Sequence, residues 1–289
     1  MRIKTNALQS VRDFFDEELT PFYSSDEIRF YFYWCCEHFL NMAKTQVIAN
    51  LDVRISESMM LKFNFAVKDL KKQKPLQYIL ESCDFSGLSL YVTPDVLIPR
   101  PETEELVQKI IQENSSFDGQ ILDICTGSGC IALALKRQLP NAVVQGFDIS
   151  KEAIAIAQKN AEKNRLEVDF FVADIFTHKP GQRFDLIVAN PPYVRHSEKS
   201  QMQANVLNYE PHQALFVDDE HPLVFYTAIL DFAKEHLNPN GKIYFEINEN
   251  FGSELAEVSK NKGFSDVTVC KDFRGKDRFV TLLLRQSPA

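Results

Sequence analysis

The chain has 289 residues, of which 45% are hydrophobic and 25% are charged, as is typical of a soluble globular protein with one large domain or two modest ones. No apolar stretch approaches the ~20 residues that a membrane-spanning helix needs, and the first twenty residues lack the pattern of a signal peptide. Residues 1–83 carry 11 basic and 11 acidic side chains, so the net charge of −8 lies in the remainder, where it disfavours binding to a phosphate backbone.

The cysteines show no spacing of a known metal site or redox motif. None forms a Cys-x-x-Cys pair, and none has a histidine partner at metal-binding distance in the sequence. We therefore expect reduced thiols in a cytoplasmic protein, with neither a disulfide nor a metal ion. The six are Cys35, Cys36, Cys83, Cys125, Cys130 and Cys270.

Residues 1–74 have the pattern of a small helical bundle. The pair Ser25-Asp26 offers an N-cap for an aromatic-rich helix, and Ser56 opens a helix with apolar residues at three- and four-residue steps. That helix ends in a lysine cluster before Pro75, which is typical of a helix C-terminus. The cluster is either a solvated helix end or a docking surface. The position of the bundle suggests a role in recognising a protein partner.

Residues 75–102 form a linker to the rest of the chain. Within it, apolar residues alternate with Ser89 and Tyr91 after the turn residue Gly87. This alternation predicts a hairpin within residues 83–93.

From residue 103 to residue 289, strand patterns alternate with amphipathic helices such as 151–163 and 223–236. The alternation predicts an α/β domain with a mainly parallel sheet and right-handed crossovers. The last two strands are separated only by the polar stretch 271–277, which favours an antiparallel hairpin. The predicted strands span residues 121–125, 143–148, 168–172, 184–189, 242–247, 266–270 and 278–284.

A glycine-containing loop, Asp123-Ile124-Cys125-Thr126-Gly127-Ser128-Gly129-Cys130, follows the first strand of the sheet and opens a helix. Gly127 and Gly129 permit a tight turn and a close approach of the backbone to a ligand. A nucleotide loop, a flavin loop and a plain turn would each fit two glycines. The dehydrogenase spacing Gly-x-Gly-x-x-Gly is absent, because Ala132 stands three residues after Gly129.

Two acids follow the next two strands. Asp148 ends the second strand and could accept both ribose hydroxyls of a nucleoside, and Asp174 follows the third strand, where an adenine amino group could reach it. Either acid alone is more often a helix N-cap. Together with the glycine loop they fall at the carboxyl edge of the sheet, where ligands bind in open α/β folds. A nucleoside site is therefore the favoured interpretation.

The fourth strand ends in the motif Asn190-Pro191-Pro192-Tyr193. Each proline fixes its own φ and removes an N–H donor, so the Asn190 amide and nearby carbonyls face outward with few competing donors. Such an arrangement can accept the hydrogens of a planar amino group, as in an amide or an adenine. The alternative is an ordinary strand-to-loop turn.

The connection over residues 193–222 contains no convincing regular element. Connections that long are usually functional or disordered. It leaves directly from the Asn190 motif, so we predict a lid that faces the substrate. Its histidines, His196, His212 and His221, have no spaced partners and are expected at the surface with no catalytic role.

The ordered set of glycine loop, two acids and Asn-Pro-Pro-Tyr resembles the class I S-adenosylmethionine-dependent methyltransferases that modify a planar nitrogen. Further segments are similar to the release-factor glutamine methyltransferases (the HemK/PrmC family) over roughly residues 75–285, and the helical front end fits that family's N-terminal domain. The segments are Pro75-Leu76-Gln77-Tyr78-Ile79, Leu97-Ile98-Pro99-Arg100-Pro101-Glu102-Thr103-Glu104, Tyr209-Glu210-Pro211, Glu246-Ile247 and Lys271-Asp272-Phe273-x-Gly275-Lys276-Asp277-Arg278.

The resemblance implies a Rossmann-like, seven-stranded, mostly parallel sheet. It also implies methyl transfer from S-adenosylmethionine, leaving S-adenosylhomocysteine, to the side-chain amide nitrogen (N5) of the glutamine in the Gly-Gly-Gln motif of peptide chain release factors, which modulates translation termination. No metal, membrane or direct nucleic-acid partner is expected, and a monomer is the default.

The resemblance also assigns roles to individual residues. The catalytic residues would be Asn190 and Pro191, whose oxygens accept the two amide hydrogens, and Tyr193, which would pack against the amide. The cofactor would contact Cys125, Thr126, Gly127, Ser128, Gly129, Asp148, Asp174, Ile175 and Asn190. The substrate would contact Asn190, Pro191, Pro192, Tyr193, Arg100 and Glu102, although Arg100 and Glu102 could equally form a linker ion pair.

Four residues depart from the family pattern. Cys125 and Glu81 stand where glycine is usual, and we expect the backbone at Cys125 to fit without a positive φ. Asn248 and Phe251 replace a glycine and a glutamine of the usual Glu-x-Gly-x-x-Gln-Gly stretch. We expect these departures to alter details of the cofactor pocket and to leave the reaction unchanged.

Two other functions fit part of the pattern. A DNA adenine methyltransferase would use the Asn-Pro-Pro-Tyr motif on a flipped adenine. The acidic sheet domain and the absence of a basic recognition segment disfavour it. A cofactor-binding adaptor of translation factors without turnover would not need that motif intact.

Overall fold

The structure is a computed structural model that describes residues 3–284, and the chain divides into two compact units. The helical unit comprises the residues up to Ser82 together with Gln203–Tyr209. The sheet unit comprises Cys83–Met202 and the residues from Glu210 onwards. The helical unit thus extends beyond residue 74, where the sequence placed its end, and it includes part of the long connection.

Five helices make up the continuous part of the helical unit. Ser24 and Ser56 cap the second and fourth helices, and each side chain accepts a hydrogen bond from a backbone N–H three residues on. The first cap lies one residue earlier than the sequence indicated. The helices are α1 (Leu8–Leu19), α2 (Ser25–Leu40), α3 (Lys44–Ala49), α4 (Glu57–Leu70) and α5 (Leu76–Leu80).

The core of the helical unit is aromatic. Phe15, Phe32 and Phe63 are fully buried, and their ring centroids lie 5.6 to 6.5 Å apart in edge-to-face and tilted arrangements. Such aromatic pairs contribute more to stability than their buried area alone accounts for. The core therefore joins α1, α2 and α4 through one cluster of rings.

The sheet unit opens with a short hairpin that lies within the predicted range and continues in strand–helix alternation. As far as the fourth central strand, its elements are β1 (Cys83–Phe85), β2 (Leu88–Leu90), α6 (Pro101–Glu113), β3 (Gln120–Ile124), α7 (Cys130–Gln138), β4 (Val143–Asp148), α8 (Lys151–Asn164), β5 (Asp169–Val172) and β6 (Phe184–Ala189).

The long connection follows β6 and contains several short elements, so the prediction that it lacks regular structure is wrong. Each element has only two to six residues, too few for a periodicity to show in the sequence. They are β7 (Val194–Arg195), a 3₁₀ helix (His196–Gln201), α9 (Ala204–Tyr209), α10 (His212–Leu215) and β8 (Phe216–Val217). Within the sheet unit β7 pairs with β8, and Asp219 accepts hydrogen bonds from the backbone and the hydroxyl of Ser197.

The chain ends with α11 (Val224–His236), β9 (Leu237–Glu246), α12 (Gly252–Asn261), β10 (Phe264–Lys271) and β11 (Asp277–Leu284). The seven central strands have the order β10-β11-β9-β6-β3-β4-β5, in which β11 alone runs antiparallel to both of its neighbours. This arrangement confirms the predicted α/β fold. β9 starts five residues before its predicted first residue, because Leu237 to Gly241 reads Leu-Asn-Pro-Asn-Gly and has no strand pattern. None of the helices between residues 3 and 284 combines the length and the apolar character of a membrane span.

Candidate active site

A cavity of about 440 Å³ opens in the sheet unit where β3, β4, β5 and β6 end. The loops that follow these parallel strands all contribute to its wall, as expected for ligand sites in open α/β sheets. Further wall residues come from the linker before α6, from residues around α10 and from Phe225 of α11.

Ten of the residues that the sequence singled out line this cavity: Arg100, Cys125, Thr126, Gly127, Ser128, Asp148, Asp174, Ile175, Asn190 and Pro192. Gly129, Pro191, Tyr193 and Glu102 lie outside the wall. Gly129 is the N-cap of α7 with a φ of +79°, and a Cβ there would come within 2.9 Å of the Phe170 ring. Its position therefore serves the turn and the packing of the helix on the sheet.

The glycine loop is tied to the ends of two strands by carboxylates. Asp148 accepts hydrogen bonds from the backbone N–H of Gly127 at 2.9 Å and of Ser150 at 3.0 Å. Burial raises the pKa of Asp148, and the backbone hydrogen bonds lower it. A carboxylate has about four lone-pair sites. Asp148 can therefore hold the loop and still accept hydroxyl groups from a ligand in the cavity.

Asp123, at the start of the loop, is fully buried. Its Oδ2 accepts hydrogen bonds from the Thr126 hydroxyl at 2.6 Å and from the Ala132 N–H at 3.2 Å. Burial, with a smaller contribution from Asp148, raises the pKa of Asp123 to about 7. Asp123 thus supports the loop from beneath and is not part of the cavity wall.

The backbone at Cys125 has a φ of +60°, so the expectation of a negative φ there is wrong. Glu81, in the helical unit, has a φ of +50°. At both positions the turn requires the left-handed region, which costs a residue with a side chain about 1–2 kcal/mol. Both residues therefore hold a backbone conformation that glycine would adopt without this cost.

Another part of the cavity wall combines apolar surface with an acid. Ile175, Phe147 and Phe225 line it, and Asp174 accepts a hydrogen bond from the Phe176 N–H at 3.0 Å, as in an Asx turn. Apolar walls with a few placed acceptors suit a purine nucleoside. Within the described residues, no group of three or more His, Cys, Asp or Glu side chains could hold a metal ion.

Asn190 begins a chain of side-chain contacts that leads away from the cavity. Its Nδ2 lies 3.4 Å from the Thr103 hydroxyl, which donates to Glu246 Oε2 at 2.6 Å. The Tyr193 hydroxyl donates to Glu246 Oε1 at 3.1 Å. Burial raises the pKa of Glu246, whereas both hydroxyls and the charge of Arg278 lower it.

Arg100 both lines the cavity and forms an ion pair. Its Nη2 lies 2.5 Å from Oε1 of the buried Glu210, which also accepts a hydrogen bond from the Ile98 N–H at 3.3 Å. Arg100 thus lines the cavity, whereas its ion pair is with Glu210 of the long connection and differs from the linker ion pair that the sequence allowed. Glu102 lies 3.8 Å from Arg274 in the turn between β10 and β11, outside the cavity wall.

The departures Asn248 and Phe251 also lie outside the wall and contact the first residues of the long connection. Asn248 Nδ2 donates to the Tyr193 carbonyl at 3.2 Å and to Glu198 Oε2 at 3.1 Å. The Arg195 guanidinium lies 5.2 Å from the centre of the Phe251 ring. Both residues therefore support the exit from the Asn-Pro-Pro-Tyr motif.

Sequence reasoning assigned no role to four buried polar residues around the cavity: Thr103, Asn160, Glu210 and Glu246. Asn160 on α8 donates to the carbonyls of Ser128 and Tyr91 and so joins the glycine loop to the end of the hairpin. A polar residue on the otherwise apolar face of α8 was a usable signal for Asn160. The other three stand in family-like segments, but no pattern showed that they are buried.

Known proteins match this chain in sequence and in fold. Two family models match, the Methyltransferase small domain over residues 102–224 and the PrmC N-terminal domain over residues 7–80. A release factor glutamine methyltransferase from Flavobacterium psychrophilum is 42% identical over 283 residues, which cover 96% of this chain and 99% of that protein. A protein of the same name from Bacteroides thetaiotaomicron is 42% identical, with 92% and 96% covered.

A solved structure supports the fold. A methyltransferase from Pyrococcus furiosus matches with a TM-score of 0.54 at 19% identity, covering 80% of this chain and 100% of that one. At this identity the likeness shows the shared fold alone.

Proposed function

Because the chain belongs to the release factor glutamine methyltransferase family, we propose that it transfers a methyl group from S-adenosylmethionine to N5 of the glutamine in a release factor's Gly-Gly-Gln motif. The observation that carries the proposal is that Asn190 and two carboxylates, Asp148 and Asp174, line one cavity at the carboxyl edge of the sheet. A nucleoside and a planar amide could meet there.

The residues present suit the cofactor. Asp148 would accept hydrogen bonds from the ribose hydroxyls, and Asp174 would accept one from the adenine amino group. Ile175 would pack against the adenine ring. The open space beside Gly127, where a Cβ would meet no atom within 4 Å, leaves room for the rest of the ligand. Bound S-adenosylmethionine supplies a methyl group that its sulfonium charge has already activated for transfer.

The protein's own contribution is the positioning of the substrate amide. The nitrogen of a glutamine side chain is a poor nucleophile, because its lone pair is delocalised into the carbonyl group. The Asn190 side-chain oxygen and the Pro191 carbonyl would accept the two amide hydrogens and direct the lone pair at the methyl group. Alignment of this kind can contribute up to ~7–11 kcal/mol. Tyr193 would pack against the substrate amide.

The partners follow from the same proposal. The protein substrate is a release factor in the cytoplasm, the helical unit contributes to its recognition, and the enzyme works as a monomer without a nucleic-acid partner or a metal ion. The net charge of residues 84–289, which is −8, supports a protein substrate over DNA.

The test is methyl transfer from labelled S-adenosylmethionine to purified release factor from cells that lack this activity, with the label located by mass spectrometry. Label on the Gly-Gly-Gln glutamine is the expected result, and a substrate in which that glutamine is alanine is the control. Label on DNA adenine in a parallel reaction would contradict the proposal and favour the DNA enzyme. Cofactor binding without label on any substrate would favour the adaptor.

A further inference from the structure

We propose that Thr103 and Glu246 are positioning residues that fix which end of the Asn190 side-chain amide faces the cavity. The inference rests on the proposed function, since it concerns the side chain that would bind the substrate amide. It starts from a buried carboxylate that the methyl-transfer mechanism does not use.

Glu246 ends β9 and is 1% exposed. Each of its oxygens accepts a hydrogen bond from a hydroxyl group, Oε2 from Thr103 at 2.6 Å and Oε1 from Tyr193 at 3.1 Å. A buried carboxylate needs such donors to offset the loss of hydration. Both donors come from segments next to the cavity, the first turn of α6 and the Asn-Pro-Pro-Tyr motif.

An ionised carboxylate only accepts hydrogen bonds, and this sets the direction of the whole chain. Thr103 has one hydroxyl proton and donates it to Glu246, so towards Asn190 its oxygen can only accept. The Asn190 contact at 3.4 Å is consequently made by Nδ2. When the NH₂ group of Asn190 binds Thr103, Oδ1 lies at the opposite end of the amide. Because Asn190 lines the cavity, we infer that Oδ1 is the end that a substrate amide would meet.

The direction matters because the two ends of an asparagine amide have nearly the same shape and opposite hydrogen-bonding character. A flipped Asn190 would present donors to a substrate amide whose nitrogen carries two donors of its own. The substrate would then lose one acceptor and meet an opposing dipole. The adjacent Pro191 carbonyl cannot replace that acceptor, because the proposed mechanism already uses it.

Glu246→Gln tests the direction. The new amide can donate to Thr103, which then can donate to Asn190 Oδ1 and stabilise the flipped form. We expect kcat on release factor to fall roughly 10- to 100-fold, the effect of an unsatisfied buried donor, while the Kd for S-adenosylmethionine changes less than about twofold. The matched control is Glu113→Gln. Glu113 ends α6 outside the cavity wall and accepts a hydrogen bond from Tyr244, which lies on β9 as Glu246 does. The kcat of Glu113→Gln should equal that of the wild type.

Thr103 supplies a second, independent pair of variants. Thr103→Val keeps the shape and removes the hydroxyl, so kcat should fall as in Glu246→Gln. Thr103→Ser restores the hydroxyl and should recover kcat to within about threefold of the wild type. A role in packing alone predicts the reverse order, since valine preserves the methyl group of threonine that serine lacks. The Thr103 pair also decides the question if Glu246→Gln does not fold.

The outcomes separate the inference from the proposed function. If the wild type does not label release factor, the proposed function is wrong and the inference is lost with it. If the wild type is active but Glu246→Gln retains its kcat, or Thr103→Val is as active as Thr103→Ser, only the inference is overturned. Cofactor titration and thermal melting of each variant show whether a loss of kcat reflects a loss of fold.

Discussion

The two units of this protein bury different kinds of side chain. In the helical unit the described core is hydrophobic and rich in phenylalanine, and Asn64 is its one buried polar residue among those described. The sheet unit buries four carboxylates, those of Asp123, Glu210, Glu246 and Asp272.

The buried acids of the sheet unit are informative because each needs specific donors. Three of them bind a residue of the cavity wall: Asp123 binds Thr126, Glu210 binds Arg100 and Glu246 binds Thr103. Buried aromatic side chains mainly stabilise the unit that contains them. Buried carboxylates fix the positions of the side chains that donate hydrogen bonds to them. The comparison predicts that substitutions in the first unit alter stability and that substitutions in the second alter catalysis and pH dependence.

The largest effect is expected from Phe63→Ala in the helical unit. The ring is fully buried and lies between Phe15, Phe32 and Phe39, so its loss should lower the free energy of unfolding by about 3–5 kcal/mol. The chain's single tryptophan is Trp34 on α2, so tryptophan fluorescence during urea unfolding reports on this unit.

Phe65→Ala is the matched control for Phe63→Ala. Phe65 lies on the same helix but is 58% exposed, and its loss should change the free energy of unfolding by less than about 0.5 kcal/mol. Similar losses in both variants would show that the ring cluster does not hold the helical unit together.

The next largest effect is expected from Asn190→Ala in the sheet unit. Loss of the acceptor should lower kcat on release factor by about 10²–10³-fold, by analogy with the loss of one transition-state hydrogen bond. The Kd for S-adenosylmethionine should change far less, and single-turnover assays with cofactor titration measure both. Asn114→Ala, at an asparagine outside the cavity, is the control. Equal losses of turnover and cofactor affinity would contradict the role assigned to Asn190.

The sequence was sufficient for the seven central strands and for ten residues of the cavity wall. Strands such as Phe184–Ala189 are almost continuously apolar, and the carboxyl ends of parallel strands meet at one edge, so Asp148, Asp174 and Asn190 could be placed together. These inferences need only local patterns and one rule of topology.

Other features could not be predicted because they depend on contacts between distant residues. Thr103 and Glu246 are 143 positions apart, and neither segment indicates that the other binds it. The short helices and strands between residues 193 and 222 are too brief for a periodic pattern. At Cys125 the residue type favoured a negative φ, but the turn after β3 required a positive one.

A smaller effect is expected on the pH dependence of stability, through Asp123 in the sheet unit. The pKa of Asp123 is about 7 in the folded protein and near 3.8 without burial, so the folded state binds the extra proton between these values. The contribution of Asp123 to stability is therefore largest below pH ~4 and is lost as the pH rises through ~7. Asp123→Asn should remove that dependence.

Thermal melting of Asp123→Asn and the wild type at pH 5.5 and pH 8.5 measures this dependence. The difference in melting temperature, variant minus wild type, should be at least about 2 °C larger at pH 8.5 than at pH 5.5. A shift of 2 °C corresponds to about 1 kcal/mol or less. A difference that does not vary with pH would show that Asp123 does not titrate between folding states in this range.

The smallest effects on the free energy of unfolding are expected at two positions that share a backbone conformation but differ in their surroundings. Glu81 in the helical unit and Cys125 in the sheet unit both have a positive φ. Glycine at either should relieve about 1–2 kcal/mol of left-handed strain and add about 0.5–1 kcal/mol of backbone entropy cost. Glu81→Gly and Cys125→Gly should therefore each raise the free energy of unfolding by about 0.5–1 kcal/mol, measured by urea denaturation.

Glu17→Gly, at an exposed position within α1, is the control and should lower the free energy of unfolding by about 1 kcal/mol. If Glu81→Gly lowers it equally, the strain at that position is not real. The two stabilising variants should differ in one respect, because only Cys125 lines the cavity. A change in cofactor Kd in Cys125→Gly but not in Glu81→Gly would show that the same backbone strain is incidental in one unit and part of the binding site in the other.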